Sequence, residues 1–249
     1  MNKLEIPKNH PRYESLIRRS RLIEFYEKGI VTISGLISHG RGEAFDYILG
    51  EKSNDYAILS EKAALGLILK SKKPVISVNG NVTALADDAI IEFSKKYGIT
   101  VEANIFHWSQ ERIEKIVKHF ESKGLSILGR NQNMRIPGLE SNRGRCEFEG
   151  IFSADTVVIP LEDGDRAEAL IKMGKNVITI DLNPLSRTSR AGHISIVDDV
   201  NRAFKNMASF DRDESISIYE KFDNSKNIVK ILEFMSIRLS SLKDWPDNL

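Results

Sequence analysis

Short apolar runs rich in β-branched residues alternate along this chain with helical patterns, and that alternation limits its architecture more than any other feature. VTISGLI, PVISV, ITVEANIF, LSIL, DTVVIP, NVITIDL and HISIV read as strands. Most lack polar alternation, as strands do when both faces are covered. Between several of them lie helical patterns, clearest in SQERIEKIVKHFESKG, where Ile113, Ile116, Val117 and Phe120 share a face, Ser109 caps the start and Gly124 ends it. Strand, helix, strand repetition predicts an α/β fold with a mostly parallel sheet and helices on both faces.

A chain of 249 residues, 41% of them hydrophobic, can bury a core of that size. No internal repeat, low-complexity tract or Pro/Gly-rich linker divides it, so residues 1–249 are expected to form a single domain. Both ends depart from the alternation. Residues 12–28 read as an amino-terminal helix on which Arg12, Ser15, Arg19, Leu22 and Tyr26 share a stripe, so Arg19 either reaches into a site or stays solvated. Near the carboxyl end Ile228, Leu232, Met235, Leu239 and Leu242 recur at spacings of four and three, a helical seam expected to pack on the domain's own core in preference to a dimer partner.

Lys and Arg total 36 against 35 Asp and Glu, a formal net charge of +1. No whole-molecule field therefore draws in nucleic acid or an anionic membrane, and any anion binding must be local. Cys146 is the single cysteine, which excludes an internal disulfide framework and a multi-cysteine metal site. The start, MNKLEIPKNHPRYES, has no apolar signal core, and nowhere do about 18 apolar residues run together. A cytoplasmic protein without a membrane partner is expected.

Chemistry-bearing residues gather where the predicted strands end, the place where open α/β sheets bind ligands. After NVITI comes Asp181-Leu182-Asn183-Pro184-Leu185-Ser186-Arg187-Thr188-Ser189-Arg190. Pro184 stops the strand, Asn183 and Ser186 favour a turn, and Arg187 and Arg190 offer permanently charged forks for phosphate oxygens. The expected ligand is anionic, a nucleotide. In GLISHGRGEAFDY, His39-Gly40-Arg41-Gly42 is expected to join a strand to a helix whose first turn holds Glu43, its glycines letting backbone N–H groups approach a phosphate that Arg41 contacts. His39 is a candidate general base or phosphate donor, or a structural histidine. This is neither a dinucleotide fingerprint, since Phe45 stands at the third glycine position, nor a P-loop.

Three further clusters carry polar groups. Asn79-Gly80-Asn81 follows PVISV, with Asn79 a candidate for orienting a substrate and Asn81 for capping the next helix. In PLEDGDRAEAL, Glu162, Asp163, Asp165 and Arg166 lead into a helix; the carboxylates are candidates for Mg2+ or an ammonium group, and Asp165 alternatively for a helix cap. Residues 130–150 show little periodicity and carry Arg130, Arg135, Arg143 and Arg145. Such a loop either closes its arginines over a phosphorylated substrate or serves solubility.

Taken in order, HPRYESL, GLISHGRGEAFDY, PVISVNGNV, RIPGLE, PLEDGDRAEALIKMGK and IDLNPLSRTSR resemble the archaeal-type phosphopantothenate synthetases over nearly the whole chain. Several separate motifs in register make that resemblance specific. It implies a homodimeric, Rossmann-like enzyme of coenzyme A biosynthesis that joins 4-phosphopantoate to beta-alanine with ATP, releasing AMP and diphosphate through an acyl adenylate, with Mg2+ as the expected ion. It also implies ATP contacts at Arg19, Arg41, Asp181, Leu182, Asn183, Arg187, Thr188, Asp199 and Val200. Arg41, His39 and Asn79 are then the candidates for catalysis, and Asp181 for accepting hydrogen bonds from adenosine hydroxyls, by analogy with acidic strand ends in related folds. Where the family has Asp-Asn-Ile after the next strand, this chain has Asp198-Asp199-Val200, and Ala167 replaces a threonine. Loss of the amide at position 199 removes a side-chain donor but leaves a backbone contact. Other readings of the same residues are a nucleotide-binding regulator, a kinase acting on a pantoate-like acid, and a nicotinamide oxidoreductase, the last disfavoured by the incomplete glycine pattern.

Overall fold

In the computed structural model, which describes residues 6–10 and 12–241, the chain opens with three helices, α1 (Tyr13–Glu27), α2 (Ile33–Leu49) and α3 (Asp55–Lys70). Then follow β1 (Pro74–Val78), α4 (Gly80–Tyr97), β2 (Thr100–Ala103) and α5 (Gln110–Ser122). A small antiparallel pair, β3 (Met134–Arg135) and β4 (Arg145–Cys146), precedes β5 (Thr156–Pro160), α6 (Gly164–Lys172), β6 (Asn176–Ile180), α7 (Arg187–Ala191) and β7 (Ile194–Ile196). Three helices close the chain, α8 (Val200–Ser209), α9 (Arg212–Tyr219) and α10 (Asn224–Ser241).

The main sheet is parallel throughout, in the order β2-β1-β5-β6-β7. Its register sets Val101, Ile76, Val158, Ile178 and Ile194 side by side, and none is more than 2% exposed. The opposite face presents Val75, Val157, Ile159 and Val177 to a second cluster with Ala167 and Leu170 of α6 and Ile136 and Cys146 of the hairpin. Two covered faces explain why the strand sequences do not alternate. From β1 the chain moves to β2 on one side and later to β5 on the other, so the strand order reverses between β1 and β5. That reversal fixes where a crevice opens.

Five predicted strands are present, and two are not. LSIL contributes only an isolated bridge between Leu128 and Glu102. VTISGLI is not a strand: Thr32 Oγ1 accepts from Gly35 N at 3.2 Å and starts α2, so His39-Gly40-Arg41-Gly42 lies inside a helix rather than in a turn. Its backbone N–H groups are spent on helical bonds and do not face a phosphate. The helix hid from an apolar reading because its inward residues include Glu43 and Asp46, buried by ion pairs, while Ile33 and Ile37 point out at 62% and 63% exposure.

Other local expectations are adjusted by the same packing. Asn79, not Asn81, caps α4, its Oδ1 accepting from Val82 N at 3.1 Å, while Asn81 donates to Gly35 O at 2.8 Å. Asp163, not Asp165, stands at the N-cap position of α6. The seam of α10 meets the core through Met235 and Ile228, which join Ile231, Leu49, Leu182 and Val197. Leu239 is half exposed, and Leu242 lies outside the described residues.

Candidate functional site

The carboxyl ends of the parallel strands form the floor of a cleft of about 1010 Å³. At the switch point, Asn79 after β1 donates through Nδ2 to Leu161 O after β5 at 3.0 Å. Leu161 itself has φ +50°, and it and Glu51 are the two non-glycine residues with positive φ among the described residues. A branched side chain in that conformation is strained. The floor continues through Glu162 and Asp163 to Asp181, Leu182 and Asn183 after β6, and to Asp199 and Val200 at the start of α8. The inner face of α2, from Thr32 to Asp46, is the roof.

The β6 end is built by local hydrogen bonds. Asp181 Oδ1 accepts from Asn183 N at 3.0 Å, and Asn183 Oδ1 accepts from Leu185 N at 2.9 Å, which folds the chain back after the strand. Ser186 then caps α7 by accepting from Ser189 N at 3.0 Å. Thr188 is buried and donates through Oγ1 to Glu162 O at 2.6 Å, tying α7 to the end of β5. Arg187, with its side chain 68% exposed, pairs with Glu168 at 2.9 Å on the rim. Asp199 caps α8 by accepting from Asn201 N and Arg202 N, so Val200 sits at the first turn. Arg190 does not line the cleft.

The roof brings His39, Arg41 and Glu43 over this floor. His39 Nε2 is buried without a hydrogen-bond partner among the described residues, and burial lowers its pKa. It is therefore neutral at pH 7 and able to accept a proton. Arg41 meets only Ser38 Oγ, at 3.2 Å, and has no carboxylate within 4.0 Å among the described residues. Burial pushes the Asp181 carboxyl up, and Arg41's charge opposes that push.

Arg19 is not among the residues that line the cleft. It grips Glu43 with Nε and Nη2, at 3.0 and 2.8 Å to Oε2, and Tyr47 donates to the same carboxylate at 2.9 Å. Burial alone would raise the pKa of Glu43, but those donors hold it below the usual range. Its neighbour Arg18 lines the cleft instead, 3.1 Å from Asp46 and 3.7 Å from Asp199. The inward stripe of α1 runs through Ser15, Leu22 and Phe25, with Arg18 between them; Ser15 and Leu22 are as the sequence stripe has them, whereas Arg18 and Phe25 stand in place of Arg19 and Tyr26.

The opposite end of the cleft, beyond β1 and β2, holds residues with no sequence signal of their own. Ile105, Phe106 and His107 follow β2, and Arg112 projects from the first turn of α5. Arg112 donates to Ile30 O at 2.8 Å and to His107 O, while its Nε has no hydrogen-bond partner among the described residues. Of the four arginines in residues 130–150 only Arg143 lines the cleft. Its guanidinium carbon sits 4.4 Å from the Phe106 ring centre and its Nη1 lies 2.8 Å from Glu162 Oε1. Arg130 pairs with Glu114 and Glu121 on α5, Arg135 donates to Leu139, Glu140 and Ser141 carbonyls, and Arg145 stacks on Trp108 at 4.2 Å. These three hold the segment together rather than facing a ligand.

The cleft thus has two arginine-lined ends separated by the switch point, Arg41 and Arg187 over β6 and Arg112 and Arg143 beyond β1. A parallel sheet opening into such a crevice defines an α/β protein with a cleft at its strand ends, where open sheets of this kind bind ligands. The chain belongs to the phosphopantothenate/pantothenate synthetase family, whose profile matches residues 56–238. A Thermococcus onnurineus protein named 4-phosphopantoate--beta-alanine ligase is 44% identical over 250 residues, covering 97% of this chain and 96% of that protein. A Methanospirillum hungatei protein of the same name is 44% identical over 243 residues, covering 96% and 100%. More distantly, a Pyrococcus abyssi protein named cyclic 2,3-diphosphoglycerate synthetase is 26% identical over 164 residues, 64% of this chain and 36% of its own length.

Proposed function

We infer that this protein is an ATP-dependent ligase that condenses 4-phosphopantoate with beta-alanine to 4'-phosphopantothenate, a step of coenzyme A biosynthesis, releasing AMP and diphosphate. The observation that carries the reading is one cleft with two separate arginine-lined ends, as two phosphorylated substrates require, in a chain closely similar to proteins bearing that ligase name. The nucleotide takes the β6 end, against Arg41, Asp181, Leu182, Asn183, Arg187, Thr188, Asp199 and Val200, and Arg18 takes the place given to Arg19. Asp181 accepts hydrogen bonds from the ribose. The phosphorylated acid takes the β1 end, near Asn79, Arg112 and Arg143.

A carboxylate is a poor acyl donor and must be activated. An oxygen of the acid attacks the α-phosphorus of ATP, the bond to the bridging oxygen breaks and diphosphate leaves, giving an acyl adenylate. The amine of beta-alanine then attacks the acyl carbon, AMP leaves with the electrons of the C–O bond, and the amine gives up a proton. Arg41, which like Arg112 has no carboxylate within 4.0 Å among the described residues, lies at the nucleotide end and is suited to the charge that develops at phosphorus. Neutral His39, also facing the cleft, is suited to receive the amine proton. Asn79, fixed at the switch point by its cap and by Leu161, holds the two halves at constant separation.

Asp165, with the oxygen of Asp163 that does not meet Arg143, would hold Mg2+ arriving with the nucleotide, since such an ion needs only one or two carboxylates beside phosphates and water. Glu162 does not suit it, because both its oxygens already meet arginines. Exposed Ile23, Tyr26, Ile33 and Ile37 on α1 and α2 support the expected self-association. No helix of the described residues is long and apolar enough to cross a membrane.

The test is to give the purified protein ATP, Mg2+, 4-phosphopantoate and beta-alanine and identify the nucleotide product. AMP formed only with all three substrates is expected. ADP would mean a kinase, and bound ATP without turnover a regulator; either overturns the reading.

A further inference from the structure

A charge pair beneath the β1 end of the cleft is left unused by the reaction above. Arg166 of α6 is wholly buried. Its Nη1 donates to Glu162 Oε2 at 2.7 Å and to Ser77 Oγ at 3.0 Å, and its Nε and Nη2 have no partner among the described residues. The other oxygen of Glu162 lies 2.8 Å from Arg143 Nη1 as a charge contact without hydrogen-bond geometry, and Arg143 Nε and Nη1 have no hydrogen-bond partner among the described residues. Glu162 therefore lies between two guanidiniums, one sealed in the core and one facing the cleft.

Stability does not explain this arrangement. An apolar pair of similar volume commonly holds a core as well as a buried ion pair or better, because two charges must be stripped of water. What an apolar pair cannot do is hold a second guanidinium in place by charge. Arg143 needs that help, since it sits just before β4 in a hairpin whose strands are two residues long. Its guanidinium meets Phe106, Asp163 and Glu162. Asp163 has a side chain 60% exposed and Glu162 one 3% exposed, so Glu162 is the rigid partner.

We propose that Glu162, clamped from below by Arg166, is a positioning residue that aims Arg143 at the phosphate of the acid substrate. The proposal rests on the assignment of that end of the cleft to the phosphorylated acid. Glu162 is well placed for such a role, because its carbonyl also receives Thr188 from the nucleotide end. Its backbone serves one half and its side chain the other.

The test is equilibrium calorimetry with 4-phosphopantoate and, separately, ATP, on the wild type, Glu162→Gln, Arg143→Ala and the double variant, with melting temperatures alongside. A misplacement of about 1 Å costs up to about 100-fold. Glu162→Gln is expected to raise the 4-phosphopantoate Kd at least about tenfold with the ATP Kd changed less than about twofold, and to add nothing in the Arg143→Ala background. Equal losses for both ligands, or additive losses in the double variant, would overturn the proposal in favour of a structural role. Should Glu162→Gln fail to fold, Ser77→Ala removes the hydroxyl that steadies Arg166. It is expected to raise the same Kd about threefold in the wild type and not in Arg143→Ala, and no change in the wild type counts against the proposal. A wild type showing this binding pattern yet forming no AMP would sink the ligase reading and leave the positioning role standing.

Discussion

Gly164→Ala probes how the nucleotide end is built. Gly164 opens α6, and a methyl group there would stand 2.4 Å from Arg187 Cβ, 3.0 Å from Arg187 C and 3.2 Å from Thr188 N. Ordinary contact begins near 3.4 Å, so α7 must retreat by about 1 Å. The hydrogen bond from Thr188 Oγ1 to Glu162 O, now 2.6 Å, would stretch past useful range. Overpacking of this kind costs about 1–3 kcal/mol of stability. For a chain of this size that lowers Tm by roughly 3–10 °C. The larger effect falls on ligand: a shift of about 1 Å in Arg187 and Thr188 is expected to weaken ATP binding about 10-fold to 100-fold. Calorimetric titration with ATP, well below the variant's Tm and with circular dichroism to confirm the fold, reads both quantities. ATP affinity within twofold of wild type beside a lowered Tm would refute the reasoning, because α7 would then move without the nucleotide noticing.

Four further outcomes are expected. Gly40→Ala, an exposed position inside α2 with nothing within 4 Å of the added carbon, should raise stability by about 0.5–1 kcal/mol and leave ATP binding intact; loss of binding would restore the glycine-turn reading of that motif. Arg187→Ala should weaken ATP binding with little change in Tm, since its surface pair with Glu168 contributes little, and an unchanged ATP Kd would exclude it from the site. Burial, with Asp198 beside it, pushes the Glu61 carboxyl up to about 9 from 4.5, so the fold holds a proton that the unfolded chain releases. That stabilisation is complete below pH 4.5 and lost as pH rises toward 9; Glu61→Gln should flatten this limb of the Tm–pH curve, and parallel curves would contradict it. Burial would raise the Asp87 pKa, but His119, Lys123 and Arg21 hold it far below the carboxylate range. Asp87→Asn should cost about 2–4 kcal/mol by urea unfolding at pH 7, a deficit that narrows below about pH 4, where the unfolded wild type begins to bind a proton that the folded carboxylate still excludes; a constant deficit would point elsewhere.

The sheet was legible because its strands are buried on both faces, so PVISV, DTVVIP and NVITI carry uninterrupted apolar runs bounded by turn residues. The strand-end clusters were legible for the same reason: Asn79, Asp181 and Asn183 follow those runs directly. Helix α2 was not, because Glu43 and Asp46 are buried by arginines that come from elsewhere in the chain, and a period of polar residues looks like surface. Arg18 and Arg19 are adjacent, and only packing decides which turns inward. Arg112, Phe106 and His107 matter through the nearness of the β2–α5 connection to Arg143, a pairing across more than thirty residues that no local pattern encodes. Arg166 sits in the charged string PLEDGDRAEAL, which gives no hint that one of its members is sealed from water.

The ion pair between Asp46 and Arg202 has a consequence for how the protein is made. Asp46 is in the roof, ahead of the first strand, and its partner Arg202 lies 156 residues later, at 2.6 Å in the finished fold. A growing chain therefore makes the roof helix and its first counter-charge, Arg18, long before the second, Arg202, leaves the ribosome. Contacts of such long range close late, after the sheet exists to shorten the intervening loop. Any fragment ending before α8 carries most of the strand-end floor but a roof carboxylate held by Arg18 alone, without the two-pronged grip of Arg202, so the roof should seat fully over the floor only near the end of synthesis.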